Sequence, residues 1–495
     1  LADFGIPVIG RRPADIPISR NLGDPNTPRG YQDTLMIGSE INHKLNADWA
    51  IHHRFLYTHG DSVNTFVNPA PAFNAAQAFN ETTGIMQRNI FQQRSEQEVY
   101  STNLDLTGKL DIAGTRHDLL VGVDYYRSHN LYGSDGQWVA PNPALAIDIF
   151  NPGPSYGIAR SVFDSTLKTS STALPRSDIY NQWHGVYAQD QVTIGKKLHL
   201  MLGGRYDWAE TGRGRATTFS AATDALFNST PSLIRKDQGF SPRLGVLYEL
   251  TPQLSAYGTW TTSFGANNAP AANGRTFDPQ VGEQYELGLK AQLFESRLLG
   301  TLAAYKLTKD NILVADLNTA DPNDRIANKQ GSQGIELDLT GRVSRYLSLI
   351  ASYAYTETKV IEDHAAGSPT KGNRLANVPK HSGSMSVRYD LNGQGAKGLS
   401  MGMGAFVAGK REVDLANTAQ LLCACGCLCG LQRLEAWQLA GHGPAQRAQP
   451  ARYQVLRIDR PGFQRRAAPG GLSRRAADGD RVAASRILSA ATHRS

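Results

Sequence analysis

From residue 31 to about residue 412 the chain alternates, residue by residue, between apolar and polar side chains, and few folds accommodate that pattern for so long. Leu104, Leu106, Gly108, Leu110 and Ile112 are interleaved with Asn103, Asp105, Thr107, Lys109 and Asp111. Tyr285, Leu287, Leu289, Ala291 and Leu293 are interleaved with Glu286, Gly288, Lys290 and Gln292, and Leu198, Leu200, Leu202, Gly204, Tyr206 and Trp208 form another such row. Successive side chains of a strand point to opposite faces, so each run is a strand with one greasy and one wet side. Fourteen runs are expected, near 31–45, 49–60, 96–111, 117–130, 179–194, 198–211, 238–250, 253–264, 281–294, 297–316, 331–343, 346–360, 378–391 and 399–412. A globular strand is typically about five or six residues long, whereas a tilted strand crosses a bilayer in about nine to eleven. These runs are far longer than the first and long enough for the second. No segment approaches the roughly 18 consecutive apolar residues of a membrane-spanning helix, and a mean hydropathy of −0.37 does not argue against a barrel, in which only alternate residues meet lipid.

The connections alternate in length. Ile112-Ala113-Gly114-Thr115, Gly195-Lys196-Lys197, Thr251-Pro252, Glu295-Ser296 and Ser344-Arg345 are tight turns. Residues 61–95, 131–178, 212–237, 265–280, 317–330 and 361–377 are long and rich in Asn, Pro, Ser and Gly. Short turns at one end and long loops at the other are the asymmetry of outer-membrane barrels, whose long loops face outward. Tyr57, Tyr125, Tyr126, Trp183, Trp208, Trp260, Tyr353 and Tyr355 fall near strand ends, where interfacial aromatic girdles form. The expected fold is therefore all-β, a transmembrane antiparallel β-barrel in the bacterial outer membrane.

The formal charge of +7 could point to nucleic acid, but its distribution removes that reading. Residues 421–495 hold twelve Arg, no Lys and four acids, leaving 39 bases and 40 acids in the rest of the chain. All four cysteines, Cys423, Cys425, Cys427 and Cys429, also lie there. A domain boundary is thus placed at 420/421, with barrel strands before it and an irregular or disordered Arg/Ala-rich tail after it. So abrupt a shift in composition is what a changed reading frame produces. The chain also begins at Leu1 without a secretory leader, and it is expected to be incomplete at both ends.

Several segments, in order along about residues 1–420, resemble TonB-dependent siderophore receptors, the ferric-hydroxamate (ferrichrome-like) branch above all. Gly185-Val186-Tyr187-Ala188-Gln189-Asp190-Gln191 followed by Leu202-Gly203-Gly204-Arg205-Tyr206-Asp207 is similar to the family's YxQDQ and GGRYD hairpin. Ser241-Pro242-Arg243-Leu244-Gly245, Glu283-Gln284-Tyr285-Glu286-Leu287-Gly288, Gly331 to Glu336 and Asn377-Val378-Pro379-Lys380-His381 are similar to further family motifs. The resemblance implies that the fourteen strands are the seventh to twentieth of 22, around a lumen closed by a plug that would lie upstream. It implies a receptor and transporter for ferric siderophores, energised by a TonB complex through a segment outside this chain, working as a monomer in outer-membrane lipid. The bound ferric siderophore would be cargo, with no cofactor and no catalytic step. A non-gated, porin-like or structural barrel is the alternative. Fourteen strands alone would leave two open edges, each unpaired backbone group in hydrocarbon costing several kcal/mol, so the chain by itself is expected neither to insert stably nor to transport iron.

No catalytic or metal-binding set is assigned. Gly153-Pro154-Ser155-Tyr156-Gly157 has the spelling of a nucleophile elbow but lies in a Pro-rich loop rather than at a strand-to-helix turn. The cysteine run has the wrong spacing for a structural zinc site, adjacent His52 and His53 point to opposite faces of a strand, and Asp321-Pro322-Asn323-Asp324 is read as a turn. Ligand contacts are expected from aromatic side chains of the largest loop, Tyr132, Trp138 and Tyr156, which supply rigid contact area at low entropic cost.

Overall fold

In the computed structural model, residues 7–433 are described except 10–11, 18–19, 70–78, 138–142, 154–156, 169–175, 231, 267–276, 296, 316–324, 366, 368, 392–397, 418–419 and 422–423. One antiparallel sheet of fifteen strands dominates. Its strands are β1 (Tyr31–Lys44), β2 (Trp49–Pro69), β3 (Arg88–Ile112), β4 (Thr115–Gln137), β5 (Arg176–Ile194), β6 (Leu198–Ala216), β7 (Ile234–Thr251), β8 (Leu254–Gly265), β9 (Gln280–Leu293), β10 (Leu298–Ala315), β11 (Arg325–Arg342), β12 (Leu347–Asp363), β13 (His381–Asp390), β14 (Leu399–Ala408) and β15 (Ala424–Arg433). Each strand pairs with its neighbours in chain order, and among the described residues β1 and β15 are edges not paired with each other. Two helices, α1 (Arg160–Lys168) and α2 (Phe219–Asn228), lie in the long connections. None of the described helices is long and apolar enough to cross a membrane.

All fourteen runs form strands, but several extend well past their expected ends on the long-loop side. β2 continues to Pro69, β3 starts at Arg88, β4 reaches Gln137 and β5 starts at Arg176. Tyr132, expected in a loop, therefore lies on β4, paired with Ser95 and Ser177. Trp138 and Tyr156, the triplet Pro154-Ser155-Tyr156 of the elbow-like motif and the Asp321–Asp324 turn lie outside the described residues. The run expected at 399–412 is shorter: β14 ends at Ala408, and Arg411–Glu412 pair separately with Gln420–Leu421. The sheet also gains a strand from the segment read as an irregular tail, since Ala424–Arg433 pairs with the whole of β14, from Leu399↔Arg433 to Ala408↔Ala424. Ala424–Arg433 is rich in Cys, Leu and Gly and lacks a polar row, so period-two reading finds no strand there.

Register shows how the two faces are built. Leu200 and Leu202 are opposite Val246 and Leu244, and Leu287 and Leu289 are opposite Ala304 and Leu302, which in turn face Ile335 and Leu337. This apolar face is bare: Leu287 is 70% exposed and Leu202 50%. Apolar patches of such extent on a single chain mark a surface covered by something else, here the acyl chains of a bilayer. An aromatic band closes the face toward the long loops. Tyr57 pairs with Tyr100 at a ring separation of 4.8 Å, Tyr125 with His184 at 5.1 Å, and Tyr206 lies 4.7 Å from Trp208. Trp260 pairs with Tyr285, and Tyr355 with His381. Carboxylates on the loop side take the polar tips: Glu98 accepts from Tyr57 and Tyr100 (both 3.1 Å), Glu283 from Trp260 (3.0 Å) and Tyr285 (2.8 Å), and Glu357 from Tyr355 (2.6 Å). Rings with an apolar body and a wet tip suit the lipid–water boundary. Of the eight aromatics singled out from sequence, Tyr126 and Trp183 are the exceptions: they pair with each other on the opposite, polar face.

At the short-turn end, Ala113 and Gly114 both have positive φ (50° and 79°), the two-residue hairpin geometry that matches strand twist. Beyond the aromatic band, three chain segments pack together. Asp24 and Arg88 form an ion pair at 3.4 Å with side chains 0% and 1% exposed. Arg88 also donates to the carbonyls of Gly23 and Leu145, both at 2.6 Å, and Asp24 accepts from the Ile158 amide at 2.8 Å. Val67, Ile90, Leu145, Ile158 and Phe163 make the apolar cluster alongside.

Candidate functional site

The polar face carries a network that alternation alone does not reveal. Tyr187 on β5 is level with Gly122 on β4, which is level with Asp105 on β3. A Cβ at Gly122 would lie 2.5 Å from the Tyr187 ring, so only glycine lets the ring lie across β4. The Tyr187 hydroxyl then donates to Asp105, two strands away. The device recurs one step along: a Cβ at Gly185 would sit 1.9 Å from Arg205 Nη2, and across that gap Arg205 on β6 reaches Asp124 on β4. Its Nη2 donates to Asp124 at 2.8 Å and its Nε to Asp207 at 2.7 Å, while the guanidinium lies 5.5 Å from the Tyr187 ring centre. Two carboxylates thus saturate the fork of Arg205, and the network braces β3 to β6 from within. A third glycine window, Gly288, lets Tyr257 lie across β9 and donate to Glu286 at 2.6 Å, with Lys290 5.0 Å from the ring.

Beside Arg205 the polar face opens into a cavity of about 550 Å³. Trp183 and Phe264 line it with ring centres 5.7 Å apart in an edge-on arrangement, together with Arg243, Ser241 and Ser263. Arg243 is half-buried, and among the described residues its guanidinium has neither a carboxylate within ion-pair distance nor a hydrogen-bond acceptor. Trp183 is one residue from His184 of the aromatic band, so the cavity lies level with that band, on the opposite face. Tyr132 is half-buried on the same face as Tyr126 and Asp124, toward the long loops. Of the aromatics expected to contact ligand, Tyr132 alone is thus placed among the described residues.

The motif residues Tyr187, Arg205, Asp207 and Arg243 were visible in sequence, but nothing there assigned them these contacts. Asp105 and Asp124 were missed because their partners are two strands away, and Trp183, expected in the interfacial girdle, lies instead on the polar face. His52 bonds Asn42 at 2.6 Å and His53 bonds Thr102 at 3.0 Å. On the apolar-face register, just beyond Tyr57 and Tyr100, the ligand atoms of His59, Asp61 and Glu96 lie within 4.8 Å of one another, all three side chains being at least partly exposed.

The chain has recognisable relatives. The family described as "TonB dependent receptor-like, beta-barrel" matches residues 2–441. The metal-pseudopaline receptor CntO of Pseudomonas aeruginosa (strain UCBPP-PA14) is 30% identical over 410 residues, which cover 81% of this chain and 53% of that protein. The ferrichrome outer membrane transporter/phage receptor of Escherichia coli K12 is 26% identical over 419 residues, 81% of this chain and 52% of the relative. The chain thus spans about half the length of the curated relatives it matches. Among solved structures, the siderophore receptor PiuA from Acinetobacter baumannii superposes with a TM-score of 0.67 at 19% identity, covering 85% of this chain and 61% of PiuA. That likeness establishes the fold, a large antiparallel β-barrel; the family match and the curated relatives place it in the Gram-negative outer membrane, with the apolar face described above toward lipid. The chain belongs to the TonB-dependent receptor β-barrel family.

Proposed function

We propose that this chain forms most of the wall of an outer-membrane receptor that takes up ferric siderophores. The observation that carries the reading is the two-faced sheet itself: an apolar outer face banded by aromatics, and behind it a polar wall with an arginine- and aromatic-lined cavity level with the band. Relatives named for ferrichrome, ferrioxamine and ferric-pyoverdine support this substrate class, and those named as metal-pseudopaline receptors support a wider one of metal chelates. In the complete protein a plug gates the lumen and the inner-membrane TonB complex supplies the energy, since the outer membrane holds no nucleotide pool. The barrel works as a monomer. Tyr132, together with Trp138 and Tyr156, contacts the ligand on its way in.

The test is uptake of ⁵⁵Fe-labelled ferrichrome and ferrioxamine by cells lacking their own siderophore receptors and expressing the full-length protein. The expected result is accumulation that disappears in a strain without TonB. Uptake of small sugars that persists without TonB would favour the porin-like alternative.

A further inference from the structure

We propose that the outer wall holds one phosphorylated lipid of the surrounding leaflet, its phosphate at Lys306, Lys359 and Arg374 and an acyl chain in the trough beneath Lys306. The inference goes beyond the receptor reading and does not depend on which chelate is carried. It concerns the lipid-facing side of the sheet, which looks away from the lumen. Lys306 on β10 is opposite Tyr285 of the aromatic band and opposite Gln333 on β11, so it stands on the apolar-face register at the lipid–water boundary. About 30 Å of β10 separates it from the end of the strand at Ala315, so the site belongs to the membrane boundary and not to the loops.

Two hollows share Lys306 in their lining. The lower one, about 610 Å³, follows from side-chain size along one row of the apolar face. Val246, Gly258, Leu287, Ala304 and Ile335 are opposite one another in turn across β7 to β11. Large and small residues alternate there, and the missing volume at Gly258 and Ala304 leaves a trough, with Trp260, Tyr285 and Lys306 at its upper end. The upper hollow, about 420 Å³, is lined by four cationic side chains, Lys306, Lys359, Arg374 and Lys380, and by the carboxylate of Glu357. Lys359 is opposite Gly331, which is opposite Thr308, one step above the Lys306 row on the same face.

The charges say what the upper hollow takes. Glu357 lies 3.6 Å from Lys380, and Glu412 lies 3.8 Å from Arg374. Two of the four cations are thereby matched, while Lys306 and Lys359 have no carboxylate within ion-pair distance among the described residues. Arg374 also donates through Nη2 to the Val378 carbonyl at 3.1 Å, but its Nε is buried and has no acceptor among the described residues. A buried donor left unmatched is costly. The surplus is therefore two positive charges, and a phosphate monoester carries roughly −1.5 to −2. Its several oxygens can meet separate ammonium groups and a guanidinium nitrogen together, with the Thr308 hydroxyl as a further donor. The trough then decides the source of the phosphate. A free anion leaves it unused, whereas a lipid fills it with an acyl chain and gains the apolar contact that anchors chains in a bilayer.

The experiment is native mass spectrometry of the full-length protein in detergent, counting bound lipid. The probes are a bisphosphorylated, acylated glucosamine disaccharide (lipid A), the same lipid stripped of phosphate by a phosphatase, and inorganic phosphate as a competitor. The unmodified protein is expected to bind the phosphorylated lipid at least tenfold more tightly than the stripped one, and excess inorganic phosphate to change this less than twofold. Lys306→Gln combined with Lys359→Gln is expected to weaken the phosphorylated lipid at least tenfold and the stripped lipid less than twofold. Ala304→Phe, which fills the trough, is expected to weaken both lipids alike, at least threefold. Heat-modifiable migration checks that each variant folds; should the double variant not fold, Lys359→Gln alone is expected to weaken the phosphorylated lipid at least threefold. Equal affinity for the two lipids overturns the proposal, and so does a phosphate preference that survives loss of the lysines. Displacement by inorganic phosphate together with indifference to Ala304→Phe shows an anion site without a lipid, and overturns it as well.

Discussion

Leu289 on β9 lies on the apolar face, paired with Leu302 and with Ala256. Tyr285, four residues toward the long loops on the same row, belongs to the aromatic band through its pairing with Trp260. Four residues at about 3.4 Å each are roughly 14 Å along the strand, and a tilt of about 40° leaves roughly 10 Å of depth. The apolar band of such barrels is about 25 Å tall, so Leu289 lies near the midplane and Tyr285 near its border. Leu289→Arg is therefore expected to cost about 2–4 kcal/mol of folding stability in a bilayer, and Tyr285→Arg no more than about 1 kcal/mol. Thr259→Arg, on the polar face opposite Glu286, is expected to cost less than either, within about 0.5 kcal/mol, as at an ordinary hydrated surface. The assay is urea unfolding of the full-length protein refolded into phosphatidylcholine vesicles, followed by tryptophan fluorescence. Equal costs at Leu289 and Tyr285, or a cost at Thr259 as large as at Leu289, would refute the assignment of faces and depth.

Three other perturbations probe separate parts of the account. Gly185→Ala puts a methyl group where Arg205 crosses β5, and overpacking of this kind costs about 1–3 kcal/mol; Gly402→Ala, whose Cβ would meet nothing closer than 3.8 Å, serves as the near-neutral control in the same unfolding assay. Asp363, at the loop end of β12, is desolvated by burial, but hydrogen bonds from the Thr370 hydroxyl and the amides of Ala365 and Thr370 outweigh this and hold its carboxyl below the ordinary range. The stabilisation from these hydrogen bonds to Asp363 is accordingly complete at neutral pH and lost as pH falls through that lowered pKa. Hydrogen-exchange protection of the Ala365 and Thr370 amides should follow this course, and Asp363→Asn should abolish the pH dependence. Deleting 424–433 strips the partner from β14; each unpaired group in hydrocarbon costs several kcal/mol, so the heat-modifiable, folded fraction in outer membranes should fall sharply, and an unchanged fraction would show that this strand is dispensable.

How far the sequence could be read follows from where the bilayer is. Inside it, water cannot satisfy the backbone and lipid selects every second side chain, so Leu104 to Ile112 or Tyr285 to Leu293 announce themselves as strands. Above the aromatic band both faces are wet. Gln92, Gln93, Arg94 and Ser95 continue the ladder of β3 opposite β2 and β4 without any alternation to betray it, and for that reason Tyr132 was expected in a loop. Helix α2 was missed in a region read only as loop, although Thr218 caps it by accepting from the Ala221 amide at 3.2 Å. The polar-face network was legible as motif letters and illegible as contacts. Gly122 and Gly185 look like interruptions of a strand pattern until the register shows which side chain passes over each.

The central claim is that the strands are membrane-crossing ribbons with one face in lipid. The first 422 residues contain no cysteine, so single cysteines can be placed along β9 of the full-length protein once Cys423, Cys425, Cys427, Cys429 and any cysteine outside this chain are replaced by serine. Each would be labelled in native outer membranes with a nitroxide and read by collision with oxygen, which concentrates in lipid, against a water-soluble nickel complex. Positions 285, 287, 289 and 291 should favour oxygen and 284, 286 and 290 the nickel complex; Gly288, over which Tyr257 lies, is left unlabelled. A helical period, or the same accessibility at every position, would contradict the account.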